Sequence, residues 1–277
     1  PHLIAAGSRN LNLFSLEVAG TSFARAFELT EEFKLDPDPA LMGELFSGWF
    51  EVQQWRAEFG RIVTLFETQR ARVDRIEGHP TYPRILALAG TAYCQNKHFK
   101  SAEKLFEQAI EIGERSGDDD AITHGCLGLM VMHCSAPGPG YWDKVRALST
   151  RINDLWGENA QPYYRTYLEF YETWSHSIRG DIDQALEEGQ QLYDFGKAEN
   201  FPGAVGYGAI CMAFNEAYSE NFDAAIRHAS EGAEAAGGKV DQMVSLGLKG
   251  LSMVMQGDPE GGEKLLNAVY EDGLQLE

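Results

Sequence analysis

Residues 83–114 read PRILALAGTAYCQNKHFKSAEKLFEQAIEIGE, and this stretch decides the fold. Leu86, Gly90 and Tyr93 fall on one helical stripe. After Asn96-Lys97-His98 a second stripe begins, carrying Phe99, Ala102, Phe106, Ala109 and Ile110. Apolar positions three and four apart mark an amphipathic helix, so the stretch predicts two helices joined by a tight turn. Gly90 and Ala102 are small enough to let the two axes approach, and Tyr93, Phe99 and Phe106 fill the seam around them.

Working outward, the pattern recurs. The position that opens the inner stripe of the second helix falls at Ala19, Ile62, Ala102, Val145, Ala185, Ala225 and Gly262, a period of about 40 residues. Gly180-Asp181-Ile182, Glu220-Asn221-Phe222 and Gly257-Asp258-Pro259 occupy the same turn slot, and in the fourth copy the turn is extended over 135–142. Proline breaks helix interiors. Pro37, Pro39, Pro80, Pro83, Pro162 and Pro202 lie between copies, and Pro137, Pro139 and Pro259 in turns within them. No alternating strand-like run of useful length occurs. The expectation is an all-α solenoid of about seven helix pairs, each burying its face on its neighbours. It forms a single domain over 1–277, with copies at approximately 1–35, 40–76, 83–117, 121–157, 162–200, 203–238 and 241–275.

The stretch 83–114 resembles the tetratricopeptide (TPR) motif, whose signature positions fall on Leu86, Gly90, Tyr93, Phe99, Ala102, Phe106 and Ala109. The usual closing proline is absent, and Gly113 and Gly117 are read as ending the helix instead. That resemblance implies a right-handed α-α superhelix. The long period and the linker Glu114-Arg115-Ser116-Gly117-Asp118 resemble the C-terminal sensor arrays of bacterial regulators. These are class III adenylate or guanylate cyclases carrying an ATPase module, and maltose-regulator-type activators. Runs 15–29 and 45–59 look most like the cyclase tails. Neither a catalytic nor an ATPase module is recognisable here.

Acidic residues outnumber basic ones 42 to 23, for a net charge of -19. Such a chain repels phosphate backbones and anionic lipid heads, which argues against nucleic-acid or membrane partners. The longest stretch without a charged side chain, 121–142, contains two histidines and Pro137-Gly138-Pro139-Gly140, so it reads as no membrane span. No secretory signal is recognisable from Pro1 onward. Cys94, Cys126, Cys134 and Cys211 form no C-x-x-C pair, and no N-glycosylation acceptor occurs, which fits buried free thiols in a cytoplasmic protein. The first copy opens on apolar Leu3-Ile4-Ala5-Ala6 and the last ends near Tyr270. With no polar cap expected at either end, the chain reads as a fragment of a longer array, or as having ends that dock in a partner or in other copies.

No phosphate loop, dinucleotide loop, H-E-x-x-H, nucleophile elbow or calcium loop is present, and no cofactor or metal is expected. His124, Cys126, His133 and Cys134 share one helix; His124 and Cys126 point to different faces, Cys126 and His133 fall seven apart on a shared face, and two ligands make no zinc site. They are read as packing residues.

By register, the resemblance implies a concave groove. Its polar half carries Glu44, Glu51, Gln54, Arg84 and Gln95, followed by His133. Its aromatic half carries Tyr167, Phe170, Trp174, Tyr207, Phe214 and Tyr218, then Val244, Leu251 and Met255. An exposed apolar stripe of that length either binds something or closes on itself in a tight superhelix. The expected function is a non-enzymatic regulatory or scaffold domain, part of a bacterial signalling protein, holding a protein, a peptide or a small apolar ligand in the groove. The alternatives are a helical-repeat enzyme with a metal or acid-base site near His124, His133 and Glu51, or a structural module that self-associates through the solenoid ends.

Overall fold

The computed structural model describes residues 1–13 and 15–274, apart from the side chain of Glu158. The last residue of the seventh expected copy, 275, lies outside them. The described residues are helical throughout, without a strand, and consecutive helices pack in sequence. They form two compact units, Pro1–Met132 and His133–Glu277.

The first unit holds α1 (His2–Asn12), α2 (Leu16–Glu32), α3 (Pro39–Trp55), α4 (Phe59–Thr68), α5 (Arg70–Asp74), α6 (Tyr82–Gln95), α7 (Phe99–Ser116) and most of α8 (Asp119–Ser135). The second holds the end of α8, then α9 (Tyr141–Trp156), α10 (Pro162–Arg179), α11 (Ile182–Ala198), α12 (Pro202–Tyr218), α13 (Phe222–Ala235), α14 (Lys239–Gln256) and α15 (Pro259–Leu274).

Local chemistry sets the helix starts. Pro39, Pro162, Pro202 and Pro259 open their helices and Pro83 sits in the first turn of α6, where a missing N–H costs nothing. Asp38, Asp118 and Asp258 cap α3, α8 and α15 by accepting from the N–H of Leu41 (2.9 Å), Ala121 (3.0 Å) and Gly261 (3.0 Å).

One backbone turn closes successive hairpins. At Lys97, Gly180, Glu220 and Gly257 the chain turns left-handed, with φ of 64°, 82°, 59° and 109°. At each, that residue's N–H donates three residues back and the next N–H five back, as in Gly180 to Ser177 and Asp181 to His176. This is the Schellman closure of a helix end. Ala57 repeats it between α3 and α4.

Three details differ from the sequence reading. Within copy two a short extra helix, α5, follows α4. The Thr64 and Thr68 hydroxyls bond back to the carbonyls of Gly60 and Thr64, a competition that weakens the end of α4. The extended turn is shorter than 135–142: Ser135 still belongs to α8, and Tyr141 and Trp142 already belong to α9. Gly117 does end α7 with φ 70°, but Gly113 lies inside the helix. A Cβ there would meet the Ile122 backbone nitrogen at 2.9 Å, so Gly113 serves the approach of α8.

The two units are built from different stock. Phe23, Leu45, Phe46, Phe50, Ile62, Leu86 and Phe106 are fully buried in the first unit. Phe106 is wedged between glycines, because a Cβ on Gly90 of α6 or Gly128 of α8 would lie 2.6 or 2.1 Å from its ring. Phe23 sits likewise between Gly7 of α1 and Gly48 of α3. In the second unit many small residues share the interior with Ile152, Tyr164, Leu168, Leu192, Ile210 and Met212. α10 buries Thr166, Thr173, Ser175 and Ser177; α12 buries Ala204, Gly206, Gly208, Ala209 and Ala213; α14 buries Ser245, Gly250 and Ser252. Short side chains let backbones meet: a Cβ on Gly208 would lie 2.6 Å from the Tyr193 nitrogen of α11.

Candidate functional site

Tyr164, Leu168, Ile210 and Met212 are buried along with the small residues, but other aromatic side chains of α10 and α12 stand on the less buried face of their helices. On α10 these are Tyr163, Tyr167, Phe170 and Trp174, all half-buried. Spacings of four, three and four residues keep them on one face. On α12 they are Tyr207, Phe214 and Tyr218.

The rings form one continuous lane across the two helices. Tyr163 packs on Tyr167 with centroids 4.7 Å apart, and Tyr167 on Tyr207 at 5.3 Å. Tyr207 packs on Phe170 at 4.5 Å, and Phe170 stacks on Trp174 at 5.9 Å. Trp174 meets Phe214 at 4.8 Å, and Phe214 meets Tyr218 at 4.8 Å. Tyr218 is 69% exposed. Next along the chain, α14 exposes Leu251 (50%) and Met255 (61%), with Val244 on the same helix. All six aromatic residues assigned to the groove by register therefore meet in one assembly.

Polar groups end the lane. The Tyr207 hydroxyl lies 3.1 Å from that of Tyr167 and 3.2 Å from Asp241 Oδ2 in the first turn of α14. Tyr207 has one hydrogen, so donation to the carboxylate and acceptance from Tyr167 satisfies the chain. Burial holds both phenols well above their ordinary range and pushes the Asp241 carboxyl up to about 6, the Tyr207 hydrogen bond opposing that rise. Asp241 escaped the sequence reading. Its one signal is that it falls 34 residues after Tyr207, close to one repeat, as Tyr207 falls 40 after Tyr167.

Beneath the lane runs a buried polar seam. Asn215 Nδ2 donates to Ser177 Oγ (2.8 Å), and Ser177 Oγ donates to the Thr173 carbonyl (3.1 Å). The Cys134 thiol lies 3.9 Å from the Ser175 hydroxyl. Ser149 Oγ bonds Glu172, whose carboxyl is raised chiefly by burial.

The polar positions in the first unit are placed differently. Glu44 is exposed and Gln95 half-buried. Glu51 of α3 pairs with Arg84 of α6. Gln54 Oε1 is buried without a hydrogen-bond partner among the described residues. His133 is half-buried in the last turn of α8 and opens the second unit.

Burial, with Arg84 adding to it, pulls the His124 imidazole down to about 4, so the ring is neutral at pH 7. Cys94, Cys126, Cys134 and Cys211 are buried and form no disulfide among the described residues. Among the described residues no group of three or more His, Cys, Asp or Glu is arranged to hold a metal ion. No helix among them is long and apolar enough to cross a membrane. No protein-family model matches the chain, and no curated protein matches it either.

Proposed function

We propose that the chain is a non-enzymatic, tetratricopeptide-like binding module that holds its partner along the aromatic lane of α10 and α12. One observation carries this reading: every aromatic residue of α10 and α12 except Tyr164 is half-buried or exposed, while most Ser, Thr, Ala and Gly of the same helices are buried. Folding alone favours the opposite arrangement. Aromatic residues held at a surface supply large, stiff contact area, which is what binding hot spots use. In this reading the helix pairs, about seven of them, wind as a right-handed solenoid. The module is the sensor part of a cytoplasmic bacterial signalling protein and acts by shifting an attached module between two states.

The test is affinity capture with the wild-type chain and with Trp174→Ala plus Phe214→Ala as parallel baits. Partners retained by the first and lost by the second, at equal helicity, support the lane. The same partners on both baits contradict it.

A second reading, self-assembly, has its own observation. Val18, Phe33 and Leu35 near the start, and Tyr270 and Leu274 near the end, are exposed apolar side chains. Light scattering across a concentration series tests it: mass rising with concentration supports association, and a constant monomer mass excludes it.

A further inference from the structure

Asp241 is a half-buried carboxylate whose hydrogen-bond donor is the Tyr207 hydroxyl. Among the described residues no lysine, arginine or histidine pairs with it. Lys239, two residues earlier, reaches instead to Asp272 of α15 at 2.6 Å. A carboxylate drawn out of water without a counter-charge is costly, and one hydroxyl donor offsets little of that cost. The neighbouring groups are rings, with Tyr207 packed between Tyr167 and Phe170. Ring faces attract cations, so a carboxylate among aromatic rings is the complement of an organic cation.

We propose that the lane takes an extended basic peptide segment, its arginine or lysine side chain held at Asp241 beside the rings of Tyr167 and Tyr207, its apolar residues running toward Trp174 and Phe214. This rests on the lane being the binding face. Three observations choose the occupant. A metal ion needs several ligands, and no such group is assembled among the described residues. The net charge of -19 draws basic partners and repels acidic ones. From Tyr163 to Trp174 the lane follows α10 for about 16 Å at the helical rise, room for about five extended residues and far more than a single amine covers. Trp174 packs its ring on Phe170 and Phe214, and its indole N–H has no hydrogen-bond partner among the described residues, which leaves it available to a peptide carbonyl.

The test is selection of a random dodecapeptide library on the full chain, on Asp241→Asn, and on Trp174→Ala plus Phe214→Ala, with helicity checked for each. The wild type is expected to enrich peptides that carry arginine or lysine beside apolar residues. Asp241→Asn is expected to keep the apolar preference, lose the basic one and bind the best peptide at least tenfold more weakly. The double variant is expected to retain neither. Wild-type peptides without basic enrichment, or enrichment unchanged in Asp241→Asn, overturn the basic segment and leave the lane standing. Peptides held equally by the double variant overturn the lane as well, and a wild-type selection that yields none overturns the peptide occupant. A reading free of mutation is pH: basic preference is expected to fade between pH 7.5 and 5 while apolar preference persists, and an unchanged preference at pH 5 contradicts the role of Asp241.

Discussion

Tyr207 of α12 donates its hydroxyl hydrogen to Asp241 of α14 across 3.2 Å, so the first turn of one helix is tied to the aromatic lane of another. The bond favours the ionised carboxylate, while burial favours the neutral acid and prevails. A carboxyl raised from 3.8 to about 6 on folding binds its proton more tightly folded than unfolded. Its contribution to stability is therefore full below about pH 4 and lost as pH rises through about 6. Asp241→Asn is expected to stabilise the chain by on the order of 2 kcal/mol at pH 7.5 and by little at pH 4. Urea unfolding at the two pH values measures this, and an equal or larger gain at pH 4 contradicts it.

The wedge of Phe106 against Gly128 leaves no room for a methyl group. Overpacking a tight core costs about 1–3 kcal/mol, so Gly128→Ala is expected to lower stability by that much. Gly60 has open space around its Cβ position, so Gly60→Ala serves as the control, with no loss expected. Equal unfolding midpoints for the two variants would show that α8 does not sit as described.

The repeated turns make opposite predictions at equivalent positions. Glu220 holds φ 59° with a side chain, a conformation that favours glycine, whereas Gly180 already supplies one at φ 82°. Glu220→Gly is expected to raise stability by about 0.5–1 kcal/mol and Gly180→Ala to lower it by about 1 kcal/mol. Thermal melts of both variants decide this; a shift of the same sign in both contradicts a shared geometry.

Burial pushes the Cys134 thiol up to about 11 and the Cys211 thiol higher still. Thiolate is the reactive form, so both are expected to resist a disulfide reagent at pH 8 until the chain unfolds. Prompt labelling of either cysteine in the native chain, read by peptide mass spectrometry, contradicts their burial.

Helix periodicity and turn chemistry were open to reading because both are local. The stripe through Leu86, Gly90, Tyr93, Phe99 and Phe106 needs no knowledge of distant contacts, and Gly180, Glu220 and Gly257 mark the same turn. Register also brought Tyr167, Phe170, Trp174, Tyr207, Phe214 and Tyr218 to one list, and the structure joins them in one lane. Asp241 was hidden for a plain reason. It is one of 42 acidic residues, and its distinction, a tyrosine donor and no base, exists only in three dimensions. Gly113 misled for a similar reason, since a glycine near a helix end reads as a cap until the neighbouring helix is seen to press on it.

The most direct test of the binding lane is calorimetric titration of the best selected dodecapeptide into the wild-type chain and into Trp174→Ala plus Phe214→Ala. Two hot-spot aromatics at about 2 kcal/mol each correspond to a loss of affinity of several hundredfold or more. The account expects a loss on that scale with unchanged helicity. Equal affinity in the two proteins would place the binding surface elsewhere on the chain.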